Sequence, residues 1–424
     1  MTQRIGGPVG NPFAALRHKS FLFYWIGMAV STTGTWMQNI AQPWLAYRLT
    51  NSPFLLSLVS AMQYVPVLLF SLAAGVLIDR YNKKSLLFMT QTASLLITLI
   101  TAVLSLFGVI RFWHLMVMST LLGIVNTIDM PVRQAFVIEL VGKEDLTNGI
   151  ALNSVQFNFS RIIGPAVAGI VMARWGVTTC FFVNAVSFGA VIVSLFLIKP
   201  YSVEKTQLQR GRLFANIADG LGFIYHDRYL FITFLILAVT GTFAMNFNVL
   251  VPVFAIQTLH QQEMGFGLLM SFAGVGALTG ALTVASLSQG GPKKAIIFAF
   301  PVIVAVILMS VGWMTAYTLA GLILALVSFF FMIFMASANA TFQMHARQEY
   351  RGRVMSVYTL VFVGTTPLGN LFSGAIADRF GAGAAFAACG AAVLLLLVPI
   401  YIIALHQGIL ASGSGRRPFD GNGQ

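Results

Sequence analysis

Asp129 and Arg133 stand four residues apart in the stretch NTIDMPVRQAF (126–136), and the residues leading into it from Trp113 are almost all apolar. That spacing puts both on one helix face, while Pro131 removes a backbone hydrogen bond between them and bends the helix. A carboxyl in apolar surroundings beside a guanidinium is suited to taking up and releasing a proton, because desolvation and the cation pull in opposite directions. Arg161 is a second cation among apolar residues, with Ser154 and Asn158 on the same stripe. Its chemistry is attraction of an anionic group, or pairing with the acid. Enzymatic chemistry is not expected. The histidines at 18, 114, 226, 260, 345 and 406 lie away from the middle of any apolar block, and there is no His-Glu-x-x-His and no pair of acids deep in one. Cys180 and Cys389 read as small core residues rather than a disulfide or metal site. No cofactor and no metal is expected.

The elements that must position these residues are membrane helices. Only 9% of the 424 residues are charged and 58% are hydrophobic, whereas a soluble chain carries roughly a quarter charged. The apolar blocks run to about 20 residues, the length of a helix that crosses a bilayer. They fall at 21–48, 53–78, 84–108, 113–138, 148–173, 177–198, 229–256, 264–287, 294–316, 319–343, 353–378 and 383–405, which makes an all-α membrane protein of twelve transmembrane helices. The first block is too long for a cleavable leader, so none is expected. The net charge of +13 does not point to nucleic acid. Loops sharing a side with the N-terminus hold nineteen Lys and Arg residues against four on the other side, which places both termini in the cytoplasm by the positive-inside rule.

Counted from Trp113 at about 1.5 Å per residue, Arg133 falls near 30 Å, at the inner interface, with Asp129 about 6 Å before it. Arg161, counted from Asn148, lies about 20 Å in and is the deepest charge. Uncharged polar residues form further stripes: Thr35, Gln38, Asn39 and Gln42 in the first span, Asn126 in the fourth, Thr242 and Asn246 in the seventh, Asn339 and Gln343 in the tenth, Thr366, Asn370 and Ser373 in the eleventh. Stripes of this kind turn away from lipid, so Gln38, Asn39, Gln42, Asn126, Asn158, Arg161, Asn246, Asn339 and Asn370 are expected to line a central cavity. Aromatic and Met neighbours such as Trp36, Met37 and Phe243 suit a broad amphipathic ligand.

The chain is written twice. TGTWMQN (33–39) returns as TGTFAMN (240–246), and Gly169, Arg174, Gly176 and Phe181 return as Gly374, Arg379, Gly381 and Phe386, 205 residues on. This predicts two parallel six-helix halves, 1–198 and 229–406, joined by a cytoplasmic linker (199–228) and followed by a tail (407–424). Leu213, Ile217, Leu221 and Ile224 give the linker a short amphipathic helix on the membrane face. Proteins so built carry substrate at the midplane between the halves.

GVLIDRYNKK (75–84), between the second and third spans, resembles the loop signature of the major facilitator superfamily in Gly75, Asp79, Arg80, Lys83 and Lys84; Asn82 replaces a usual glycine and tolerates the same left-handed turn. FAALRHKSFLFYW (13–25), LTNSP (49–53), DMPVRQAF (129–136) and RGRVMS (351–356) resemble the drug-antiporter branch that holds macrolide efflux proteins and the enterobactin exporter, the transmembrane secretion effectors. In SRIIGPAVAG (160–169), Gly164, Pro165 and Gly169 match that branch's fifth-span motif, with Ala168 in place of one glycine. The resemblance implies a major facilitator fold in a bacterial cytoplasmic membrane. It implies a secondary active transporter that exports an amphipathic small molecule of the drug or siderophore class in exchange for protons; a monomer is expected. A proton-driven importer on the same fold is the alternative. In that frame Asp129 and Arg133 are expected at proton coupling and the inner gate. The 75–84 loop would be a conformational latch, and Pro131, Gly164, Pro165 and Gly169 would kink and pack the helices.

Overall fold

The computed structural model describes residues 13–198, 213–287 and 291–409; residues 199–212 of the linker and most of the tail lie outside these, as does the side chain of Asp79. The described residues form a helical bundle: α1 (Lys19–Thr50), α2 (Pro53–Arg80), α3 (Lys83–Leu106), α4 (Phe112–Val141), α5 (Leu146–Trp175), α6 (Val177–Leu197), α7 (Leu213–His226), α8 (Arg228–Phe243), α9 (Phe247–Gln257), α10 (Glu263–Leu287), α11 (Lys294–Val311), α12 (Tyr317–His345), α13 (Arg351–Gly364) and α14 (Thr366–His406). The end of the bundle at which α1 starts is the proximal end, and the opposite end is distal.

Ten described stretches are long and apolar enough to cross a membrane. One of them, Arg351–His406, folds back on itself at Gly381 and so holds two arms. α1 is a further 32-residue helix whose polar stripe keeps it below the apolarity of the others. The arrangement is consistent with twelve crossings. Exposed Leu, Val and Phe side chains around the outside, such as Val186, Phe196 and Leu395, are what a lipid-facing surface carries.

Local chemistry sets the helix ends. Ser52 caps α2, its Oγ accepting from Leu55 N at 3.3 Å, with Pro53 opening the helix. Asp227 caps α8 by accepting from Tyr229 N and Leu230 N, both at 3.0 Å. Asn82 does not take the expected left-handed turn. Its φ of −66° is extended, and its Oδ1 caps α3 by accepting from Ser85 N at 3.2 Å. An N-cap side chain thus replaces the backbone freedom of glycine.

The duplication is visible in the backbone. Gly176, between α5 and α6, has φ 82° and ψ 163°, and Gly381, 205 residues later, has φ 83° and ψ 165°. Only glycine occupies that region comfortably, so the same tight turn was kept in both halves. Within the first half α1 packs on α5 and α6, α3 on α4 and α6; within the second, α10 packs on α12, and α11 on α12 and α14. The halves meet chiefly through α5 against α10 and α2 against α14. α7 docks on α13 of the second half: Arg353 Nη1 pairs with Asp219 Oδ2 at 2.9 Å and Phe223 stacks on Tyr350 at 5.1 Å.

Candidate functional site

Asp129 is the deepest acid among the described residues and it is 2% exposed. Its Oδ1 accepts from Thr90 Oγ1 and Gln91 Nε2, each at 2.7 Å, and its Oδ2 forms an ion pair with Arg133 one turn on. Both hydrogen-bond donors are on α3, so the carboxylate points across the α3–α4 contact inside the first half. Tyr24 and Phe136 close the pocket edge to face at 5.6 Å. α4 continues to Val141, eight residues beyond Arg133, so Arg133 lies about 12 Å from the proximal end of its helix. Pro131 lies between Asp129 and Arg133 and is itself exposed.

Arg161 is the sixteenth of thirty residues in α5. Val155, Phe159 and Ile170, all exposed, mark the lipid face of that helix, and Arg161 lies nearly opposite them at 3.6 residues per turn. Ser154, Phe157 and Asn158 share its face. Its Nε and Nη2 are shut from solvent and have no hydrogen-bond partner, and no carboxylate pairs with it among the described residues.

The Gly164–Pro165–Gly169 motif packs α5 on two neighbours. A Cβ on Gly164 would sit 2.4 Å from Trp36 Cβ of α1, and one on Gly169 about 3.1 Å from the Glu263 and Met264 backbone of α10. Ser271 Oγ of α10 donates to Ile162 O at 3.0 Å. The motif therefore lies at the joint between halves, and small residues allow that close approach.

The polar stripes divide. Gln38 leaves the cavity set: its Oε1 accepts from Asn184 Nδ2 at 2.6 Å and Thr98 Oγ1 at 3.2 Å, inside the first half. Gln42 donates to Ser119 Oγ at 2.6 Å yet still borders a small pocket. That pocket is lined by Asn39, Gln42, Pro43, Val59, Ser60, Gln63, Tyr64 and Asn248, from α1, α2 and α9, and its polar lining suits a water. Ser60, Gln63, Tyr64 and Asn248 were missed in the sequence, although Ser57, Ser60 and Tyr64 follow helical spacing. Asn126, Asn158 and Asn339 are half-buried, and Gln343 Nε2 donates to Asn339 Oδ1 at 2.5 Å.

Two spans of the second half are broken. The seventh is α8 and α9, interrupted at Ala244–Asn246, and the eleventh is α13 and the start of α14, interrupted at Thr365. The breaks abut: a Cβ on Gly369 would sit 1.7 Å from Thr242 O. Asn246 Nδ2 donates to Thr242 O at 3.0 Å and Phe243 O at 3.3 Å, satisfying carbonyls the break exposes. Asn370, 3% exposed, follows on the same stretch.

The distal end is sealed across the halves. Trp44 Nε1 donates to Glu263 Oε1 at 3.2 Å and its ring stacks on Phe266 at 5.5 Å. Gln257 Nε2 donates to Tyr47 Oη at 3.0 Å, and Asp378 Oδ1 accepts from Ser52 Oγ at 2.6 Å and Phe54 N at 3.3 Å. Together with Ser271–Ile162, these are the side-chain hydrogen bonds between halves among the described residues. At the proximal end, Lys83 pairs with Glu139 at 2.5 Å and Lys84 Nζ donates to Ile198 O at 2.8 Å. Both contacts stay within the first half. Arg80 is exposed, and a Cβ on Gly75 would meet open space. Exposed polar side chains gather on proximal parts of the spans: Gln134, Ser154, Gln343, Ser356 and Thr359.

The sequence profile described as transmembrane secretion effector matches residues 10–416. The chain is 25% identical over 375 residues to the staphyloferrin A transporter of Staphylococcus aureus, covering 87% of this chain and 92% of that one. It is 26% identical over 389 residues to the multidrug efflux pump Tap of Mycolicibacterium fortuitum, covering 89% and 94%. The crystal structure of the nucleoside transporter NupG shares the fold, with a TM-score of 0.75 at 10% identity, over 91% of this chain and 98% of that one.

Proposed function

The chain belongs to the transmembrane secretion effector family of major facilitator transporters, and on that premise we propose that it exports an amphipathic organic small molecule by alternating access, in exchange for protons. It is a transporter, not an enzyme. The observation that carries the reading is the distribution of contacts between halves: side-chain hydrogen bonds close the distal end and the middle, while exposed polar residues occupy the proximal end. By sequence, the loops that share a side with the N-terminus hold nineteen Lys and Arg against four, so the proximal side, where α1 starts, is read as the cytoplasm of a bacterial cell. The state is thus one that loads from inside and must break the Trp44, Tyr47 and Asp378 contacts to release outward.

Asp129 is the acid assigned to the proton. Protonation there removes the counterion of Arg133 and loosens α4 from α3, so proton binding changes the packing of a span that borders the cavity. Residues Asn39, Asn126, Asn158, Arg161, Asn339 and Asn370 face the transported molecule, with Gln42 at the distal limit of the path. Lys83 and Lys84 hold the 75–84 loop to their own half while the other half moves.

Inside-out vesicles with an acidic lumen, followed by a pH dye, test this. Macrolides, lipophilic cations and siderophores are added in turn to wild type and Asp129→Asn. Proton leakage set off by a compound in wild type and absent in the variant is the expected result. No leakage with any compound, together with pH-driven uptake into whole cells, replaces the exporter with an importer.

A further inference from the structure

Arg161 is at the middle of a membrane-crossing helix, faces away from lipid, and holds two buried nitrogens with no partner. A cation with buried, unpaired nitrogens inside a span is costly, and membrane proteins keep one where it meets water, a partner or a ligand. Among the described residues the acids within or beside the spans are already engaged, and Glu144 and Glu349 lie in the proximal α4–α5 and α12–α13 joints, away from mid-helix Arg161. Asp129 is occupied by Arg133, Glu139 by Lys83, Asp145 by His18 and Asp219 by Arg353. Glu263 and Asp378 serve the distal seal, and Asp227 caps a helix. The charge along the path is therefore positive, and among the described residues no deep acid is left over to meet a cationic ligand.

Resting on the transport reading above, we propose that the transported molecule is an organic anion whose carboxylate docks on Arg161. The guanidinium fork matches a carboxylate with two parallel hydrogen bonds. Asn158 and Ser154, on the same face, supply further polar groups, and Phe157, packed edge to face on Trp36 at 5.8 Å, supplies an apolar wall. An amphipathic carboxylate fits both parts of this surface. A lipophilic cation is repelled by it, since like charges in a site of low polarity disfavour one another.

The test is thermal protection of the purified protein in detergent, which needs no transport. The probes are 1-naphthoate, salicylate and citrate, each against its neutral amide, with tetraphenylphosphonium as the cation. Carboxylates are expected to raise the melting temperature of wild type, with amides and the cation inert. Arg161→Gln should weaken the protecting carboxylate about a hundredfold and Arg161→Lys, which keeps the charge but not the fork, about tenfold. The empty Arg161→Gln protein should melt at or above wild type, because an unpaired charge has been removed. Three outcomes overturn the proposal: no carboxylate protects, tetraphenylphosphonium protects wild type and Arg161→Gln equally, or empty Arg161→Gln melts well below wild type as loss of a structural pin would require. Carboxylate protection without proton movement in vesicles sinks the exporter and leaves this site standing. Cation-driven proton leakage that survives Arg161→Gln does the reverse.

Discussion

Trp44→Ala should open the distal seal. Trp44 is 2% exposed and crosses from α1 to α10, where it stacks on Phe266 at an interplanar angle of 14° and donates to Glu263. The aromatic pair contributes about 1 kcal/mol. The hydrogen bond to a partly exposed carboxylate contributes about another 1 kcal/mol. Both exist only while the halves are closed at that end, so their loss shifts the equilibrium by about 2 kcal/mol, roughly 30-fold toward distal-open. A cysteine at position 248 reads this out, because Asn248 lines the small pocket beneath the seal. The native Cys180 and Cys389 are fully buried and stay silent. Labelling of Asn248→Cys by a membrane-impermeant maleimide from the distal face should be about 30 times faster with Trp44→Ala. Trp44→Phe keeps the stack and loses the hydrogen bond, so about fivefold is expected. A Trp44→Ala rate within twofold of wild type would refute the assignment of this contact as the seal.

Gly369→Ala should sharply reduce the yield of monodisperse protein in size-exclusion chromatography, because its Cβ would overlap the Thr242 carbonyl, which is backbone and cannot swing away. Gly189→Ala, whose Cβ meets open space, should elute as wild type. Gly176→Ala and Gly381→Ala should cost similar amounts, about 1–3 kcal/mol each, since both glycines hold the same positive-φ turn; melting temperatures that differ widely would argue that the two turns are not equivalent. Gln38→Leu should lower the melting temperature by leaving Asn184 and Thr98 short of an acceptor, at about 1–3 kcal/mol, while leaving ligand protection unchanged.

Much of the fold was legible because membrane helices announce themselves by length and apolarity, and a repeat at constant offset names its own halves. The Gly176 and Gly381 turns were readable for that reason. The candidate site was legible by type but not by direction. A polar stripe on a lipid-inserted helix must turn inward, but inward has two meanings. Gln38 turns into its own half and meets Asn184, whereas Asn39, one residue on, reaches the space between halves. One step of 100° separates the two, and helical period alone does not say which neighbour stands on which side. Asp129 was picked out by its charge, but its donors Thr90 and Gln91 are on a helix that no local pattern links to it.

The repeated motif shows why the halves are not copies in space. TGTWMQN runs through an unbroken α1, while TGTFAMN ends α8 and frees the chain before α9. The residues that differ explain this. In α1, Gln38 is tied to Thr98 and Asn184, and a Cβ on Gly34 would sit within 2.4 Å of the Ser187 hydroxyl, so side chains hold the helix from outside. In the second half the position of Gln38 is taken by Met245, which has no amide to offer. There Gly369 presses on the Thr242 carbonyl, and Asn246 folds back to cap the carbonyls of Thr242 and Phe243. The Asn that borders the small pocket between the halves at position 39 is consumed at position 246 by the backbone it repairs. The first half thus carries the charges within its spans, Asp129, Arg133 and Arg161, on continuous helices. The second contributes interrupted helices whose backbone can rearrange at the level where ligand sites of such folds lie.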